Sequence, residues 1–131
     1  MKIADNELEF MTGETDFVKG AGILQETYPN IKVLNVTAGA DGSYSFYVEE
    51  EPVFVPSFKL GGTIETTGAG DTFCASVLNF VLENGIACLT PEDRKAMLRF
   101  ANGAAYIVTT RKGAIRSMPE RSEVEALLAA N

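Results

Sequence analysis

Two periods alternate along the chain, and each change of period marks a boundary between elements. Residues 7–28 carry helical spacing in two stretches separated by Thr12-Gly13-Glu14. In the second, Asp16 to Tyr28, Phe17, Ala21, Leu24 and Tyr28 recur at i, i+4, i+7 and i+11, an amphipathic stripe that Pro29 ends. Ile31 to Thr37 is short, mostly apolar and rich in β-branched residues, which predicts a mostly buried strand. Ala40-Asp41-Gly42 predicts a turn. Ser43 to Val48 then alternates, with Tyr44, Phe46 and Val48 on one face, so a half-exposed strand is expected. Glu49-Glu50-Glu51-Pro52 is a solvated turn before a third short strand, Val53-Phe54-Val55.

A Gly- and Thr-rich passage, Lys59 to Gly70, precedes a second run of helices. From Asp71 to Asn84, Phe73, Val77, Phe80 and Val81 form one stripe, and Cys74, Leu78 and Leu82 a neighbouring one. A helix apolar around so much of its circumference is expected to be largely buried, and Gly85 stops it. Thr90, Pro91 and Asp93 supply an N-cap, a first-position proline and a first-turn acid for a long helix reaching about Thr109. Its core face is Met97, Phe100, Ala101, Ala104, Ala105 and Val108; Ser122 opens a last helix with Val124, Leu127 and Leu128 inward. Strands alternating with helices, without repeats or a linker, predict one three-layer α/β unit. Three or four strands are few for a sheet covered on both faces, and Lys2-Ile3-Ala4-Asp5 resembles the end of a strand. The chain is therefore expected to be part of a larger α/β protein.

Composition narrows the chemistry. Among 131 residues there is no histidine, which removes Ser-His-Asp and Cys-His nucleophiles, a His general base and His-containing zinc sites. The net charge of −7 argues against a nucleic-acid or anionic-membrane surface. No apolar run reaches the roughly 18 residues of a transmembrane helix, and the N-terminus does not open a signal peptide. The two cysteines, Cys74 and Cys88, are not spaced for a metal site or a disulfide framework. A soluble, cytoplasmic, reducing-compartment protein is expected.

The strongest local signal is Glu65-Thr66-Thr67-Gly68-Ala69-Gly70-Asp71-Thr72-Phe73. A helix N-terminus presents unpaired N–H groups and a positive dipole end, and Gly68 and Gly70 let those groups approach an anion closely. Asp71, beside them, suits a carboxylate that accepts a proton from a hydroxyl attacking a phosphate. Without further context it more readily suits a carboxylate that complements the helix dipole at a tight turn. No lysine follows the glycines, so this is no Walker A loop, and Phe73 stands where a dinucleotide fingerprint needs its third glycine.

Thr66 to Phe73 closely resembles the C-terminal signature of the ribokinase-like (PfkB) carbohydrate kinases. Three further segments agree in order. Asn6-Glu7-Leu8-Glu9 is similar to the family's Asn-x-x-Glu element, which organises magnesium and the phosphates largely through water. Thr37-Ala38-Gly39-Ala40-Asp41-Gly42 is similar to its phosphate-approaching Thr-x-Gly-x-x-Gly turn. Ala101 to Ala105, and Thr110 to Ala114 beyond, are similar to its adenine-pocket helix and following loop. The resemblance implies a three-layer αβα ribokinase-like fold, of which this chain is the C-terminal portion. It implies Asp71 as catalytic base, Gly68, Ala69 and Gly70 as the anion hole, Thr37, Gly39, Gly42, Asn102 and Ala105 at the nucleotide, and Asn6 and Glu9 near magnesium. Taken singly, Asn6 and Glu9 suit a helix start, Gly39 and Gly42 a hairpin, and Asn102 a bonded core position.

Glu65 stands where the family usually carries Asp beside a monovalent-cation site. The resemblance implies that Glu65, with Thr67, Arg111, Gly113 and Ser117, could hold potassium. Relatives are much longer, and their N-terminal half supplies the sugar contacts and a small β lid. The resemblance thus implies an ATP- and Mg2+-dependent sugar kinase of the fructokinase branch, lacking its sugar-binding half, inactive alone and prone to self-association. Gly113 to Pro119 carries the fructokinase likeness. The alternatives are a non-catalytic nucleotide-binding or scaffold fragment, or a family kinase acting on ribose, a keto-deoxy sugar acid or a nucleoside.

Overall fold

Helices begin where the sequence offers caps. The Asp16 carboxylate accepts from Lys19 N at 3.0 Å, and Thr90 Oγ1 accepts from Asp93 N at 3.1 Å while Asp93 accepts from Thr90 N at 2.9 Å. The computed structural model describes all 131 residues. Its elements are β1 (Lys2–Ala4), α1 (Asp5–Thr12), α2 (Phe17–Thr27), β2 (Val33–Thr37), β3 (Gly42–Tyr47), β4 (Val53–Pro56), α3 (Ala69–Asn84), α4 (Pro91–Thr109) and α5 (Arg121–Ala130), with a 3₁₀ turn at Ile115–Ser117.

The sheet runs in the order β1-β2-β3-β4. β1 lies parallel to β2, with Ala4 opposite Thr37, and β2-β3-β4 is an antiparallel meander. Alternation along the strands feeds two cores. Ile3, Leu34, Val36 and Phe46 pack with Leu8 of α1 and Ala21 and Leu24 of α2. Val33, Val53 and Val55 pack on the other face with Phe73 and Val77 of α3 and Met97, Leu98 and Ala101 of α4. α5 covers α4 through buried Val124, and a Cβ on Gly103 would stand only 3.3 Å from it. The three-layer αβα arrangement expected from the sequence is present, and Lys2–Ala4 is indeed a strand.

Two expectations are corrected. The strand over Ser43 to Val48 is covered on both faces, because Ser43 and Ser45 are fully buried beneath α4. Serine is small enough to let the helix approach, while Tyr44 meets Phe17 of α2 at 5.1 Å and Val48 lies beyond the strand. The helix after Gly70 is not largely buried: Leu78 and Leu82 are 59% and 85% exposed. Cys74, on their stripe, is half-buried, and no further element covers this face of α3.

Candidate functional site

The ends of three strands and the start of one helix meet at one end of the sheet. Thr37 closes β2, Gly42 opens β3 and is paired opposite Pro56, and Ser57 follows β4. The 38–42 turn is closed by Ala38 N to Gly42 O (2.9 Å) and Asp41 N to Ala38 O (3.0 Å), and Ser57 N ties it to β4 through Asp41 O (3.2 Å). Gly42 is required there. Its φ is +139°, and a Cβ would stand 2.3 Å from Val55 O.

The 58–68 loop reaches α3 tethered to α4. Ile64 N and Glu65 N both donate to Thr109 O, at 2.7 and 3.2 Å, and Tyr106 Oη donates to Gly61 O at 2.9 Å. Gly68 caps α3 in the left-handed conformation, φ 84°. A Cβ there would meet Ala114 at 3.0 Å, so glycine serves both backbone and packing. Ala69 N donates to Thr66 O at 3.2 Å and Thr72 N to Gly68 O at 2.9 Å, whereas the N–H groups of Gly68, Gly70 and Asp71 have no acceptor within the chain. Free donors at a helix N-terminus, facing the positive end of its dipole, favour an anion. The Asp71 side chain is exposed beside them.

Thr37, Gly39, Gly42, Asn102 and Ala105 are brought together with Ala69 and Gly70 around a cleft of about 130 Å³ that Ser57 and Phe73 complete. An adjoining cleft of about 250 Å³ shares Gly39, Ser57, Ala69 and Ala105 and extends past Phe58 and Tyr106. Asn102 lines the first cleft with its amide already engaged: Oδ1 accepts from Ser43 Oγ at 2.9 Å, and Nδ2 donates to Val55 O at 3.0 Å.

Glu65, Thr67, Gly113 and Ser117 gather behind the loop. Glu65 Oε2 accepts from Gly113 N at 3.2 Å, and bonds from the Thr67 hydroxyl and that N–H hold its carboxyl below the ordinary carboxylate range. Ser117 Oγ donates to Lys112 O at 2.8 Å. This oxygen-rich set fits a monovalent cation. The Arg111 guanidinium pairs with Glu123 and also donates to Ser117 O at 3.4 Å, so of this residue only the backbone is free for a cation. Asn6 and Glu9 are exposed on α1 and line neither cleft; Asn6 borders a separate groove with Lys2, Glu7 and Phe10. No group of three or more acidic or cysteine side chains is placed to hold a metal ion by itself.

Sequence reasoning missed Ser57, Phe58, Tyr106 and Lys2. Ser57 could have been found as the residue following a strand's carboxyl end, where open α/β sheets bind ligands. Lys2 carries no such signal. Its Nζ lies 3.3 Å from where a Cβ on Gly70 would stand.

A fructokinase of Solanum tuberosum is 38% identical to this chain over 129 residues, 98% of this chain and 39% of that protein. The Arabidopsis thaliana ribokinase solved with ribose and ATP is 32% identical and superposes with a TM-score of 0.80 over 97% of this chain and 39% of its own. A Vibrio cholerae fructokinase solved with fructose, ADP and calcium is 27% identical, with a TM-score of 0.81 over 97% of this chain and 40% of its own. The chain thus has a ribokinase-like fold and spans about two-fifths of the length of these relatives. A profile described as pfkB family carbohydrate kinase matches residues 1–121. With the glycine loop, its free amides and Asp71 all falling inside that match, the chain belongs to the pfkB family of carbohydrate kinases.

Proposed function

We propose that this chain supplies the nucleotide site, anion hole and catalytic base of an ATP-dependent kinase that phosphorylates a hydroxyl of a fructose-like sugar. One observation carries the reading. The unbonded Gly70 and Asp71 N–H groups stand at the head of α3, on the rim of a cleft shared with Thr37, Gly39, Gly42, Asn102 and Ala105. That arrangement suits a polyphosphate laid from the 37–42 turn toward Asp71, with the nucleoside between Phe58, Ala105 and Tyr106. The fructokinases among its relatives favour a fructose-like acceptor, and the ATP, ADP and divalent ion of its structural neighbours favour a metal–nucleotide co-substrate.

In this mechanism the Asp71 carboxylate takes the proton of the attacking hydroxyl as its oxygen forms a bond to the γ-phosphorus. The bond to the β-phosphate oxygen breaks and ADP departs with that electron pair. The free N–H groups of Gly68, Gly70 and Asp71 donate to the phosphoryl oxygens as charge develops on them. Magnesium bound with the nucleotide would offset phosphate charge, and Asn6 and Glu9, which line neither cleft, would reach it only through its waters. The Glu65 cluster would hold potassium behind the anion loop and fix that loop's shape. The three-fifths of that relative outside the match would supply the sugar contacts and the lid, so this chain by itself is expected not to turn over sugar.

The test exchanges the matching region of the potato fructokinase for this chain and assays fructose phosphorylation with Asp71 and with Asp71→Asn. An active chimera that loses at least about a hundredfold in turnover, with ATP affinity little changed, supports the assignment. Near-normal turnover of the Asp71→Asn chimera refutes it.

A further inference from the structure

The backbone of residues 58–63 is held to the rest of the chain at a single point. Ser57 N donates to Asp41 O before this span and Ile64 N to Thr109 O after it, and no N–H between them has an acceptor. Of its carbonyls only Gly61 O is used: Tyr106 Oη on α4 donates to it at 2.9 Å. The span's other side-chain bond, from Lys59 Nζ to Asp41 at 3.5 Å, is an exposed ion pair that holds little. Gly61 and Gly62 are both left-handed, with φ of 79° and 76°, so the loop turns at the point where the phenol grips it. Tyr106 also lines the cleft of about 250 Å³, to which the loop contributes Phe58 and Thr63. Its ring centroid stands 6.2 Å from that of Phe58, whose face the Arg99 guanidinium covers at 5.8 Å. One side chain thus supplies part of the cleft through its ring and ties down the neighbouring wall through its hydroxyl.

We propose that Tyr106 is a positioning residue that latches the 58–63 loop beside the nucleoside, its hydroxyl setting the width of the cleft that receives the base. The proposal rests on the nucleotide-site reading and adds to it a residue that acts through the loop. With the latch made, Phe58 and Thr63 stand in place before a ligand arrives. Without it the loop is ordered only on binding, and that ordering subtracts from affinity. The effect is confined to the nucleoside end. The 38–42 turn and the first turn of α3, where the phosphates would lie, are closed by backbone bonds of their own. Loss of the Tyr106 hydroxyl therefore weakens a nucleotide and spares a bare polyphosphate.

The test uses calorimetric titration of the purified chain with two probes: a non-hydrolysable ATP analogue with Mg2+, and inorganic tripolyphosphate with Mg2+. Tyr106→Phe keeps the ring and removes the hydroxyl, and circular dichroism and melting confirm that the variant is folded. Timed trypsin digestion, read by mass spectrometry, follows cleavage of the Lys59–Leu60 bond inside the loop. Tyr106→Phe is expected to weaken the analogue about three- to tenfold and tripolyphosphate less than about twofold. Cleavage after Lys59 is expected to quicken by at least about threefold, because it follows the population of the open loop. Unchanged affinity for the analogue, equal weakening of both probes, or unchanged cleavage overturns the latch and leaves the nucleotide site standing. A wild-type chain that binds tripolyphosphate but not the analogue overturns the nucleoside reading and the latch with it. Binding of neither probe overturns the nucleotide site as a whole.

Discussion

Ser43 Oγ on β3 donates a buried hydrogen bond of 2.9 Å to Asn102 Oδ1 on α4, and Asn102 Nδ2 donates onward to Val55 O at 3.0 Å and Pro56 O at 3.3 Å. One amide thus fastens the sheet to the helix that lines the cleft. Asn102→Ala leaves a buried hydroxyl and a strand carbonyl without partners. A loss of about 2–3 kcal/mol is expected in denaturant unfolding, with the cleft residues Gly42 and Ala105 showing the largest amide shifts.

Arg94 is fully buried, yet its charge meets only one carboxylate, Glu50, at 2.5 Å; its other bonds go to Ser45 O and Glu51 O at 3.2 and 3.4 Å. It pins the β3–β4 turn to α4. Arg94→Ala is expected to cost about 3–5 kcal/mol through the cavity and the orphaned groups. Arg121, which pairs with Glu83 and Glu125 at the surface, makes more ion pairs, but Arg121→Ala is expected to cost less than about 1 kcal/mol. Chemical denaturation of both variants ranks the two directly.

Gly42 and Gly70 border the same cleft and fail differently when substituted. Gly42→Ala drives a Cβ into Val55 O at a φ of +139°, and a destabilisation of about 2 kcal/mol or more is expected. Gly70 meets only the flexible end of Lys2, so Gly70→Val keeps the fold and loses anion binding. Melting temperature and nucleotide titration, measured side by side, separate the two effects.

The Glu65 carboxyl is held below its ordinary value first by the Thr67 hydroxyl and then by Gly113 N–H. A lowered folded-state value means that the stabilisation is full above the unfolded carboxyl's value and is lost as pH falls through the lower, folded one. Acid should therefore loosen the 65–67 to 113–117 contact. Glu65→Gln is expected to flatten the fall in melting temperature between about pH 5 and about pH 3. An unchanged profile would place the acid sensitivity elsewhere.

Phe10 is 90% exposed on α1 and Leu82 85% exposed on α3, on opposite faces of a sheet whose β1 edge is unpaired. Apolar side chains beside an open strand edge favour pairing between chains. Sedimentation should show concentration-dependent association that the double substitution Phe10→Glu, Leu82→Glu reduces.

Much of the fold is legible in the sequence because it is local. The Thr90-Pro91-Asp93 cap, the Gly85 stop and the 40–42 turn depend on neighbours a few residues apart, and all stand where the pattern puts them. The glycine loop is legible for the same reason. What escapes depends on contacts between distant segments. The burial of Ser43 and Ser45 comes from Asn102 and Arg94, about fifty residues on. The exposure of Leu78 and Leu82 reflects the absence of any element beyond β1, and helical periodicity shows only that a face is apolar, not that something covers it. Lys2 reaches Gly70 across the fold, through pairing of β1 that no spacing encodes.

The most direct test is an amide-resolved titration of the isotopically labelled chain with Mg2+ and ATP. Saturable, single-site binding is expected, with the largest shifts at Gly39, Gly42, Ser57, Gly68, Gly70, Asp71 and Ala105. No saturable shift at millimolar nucleotide, or shifts centred away from the head of α3, would contradict the assignment of this cleft as the nucleotide site.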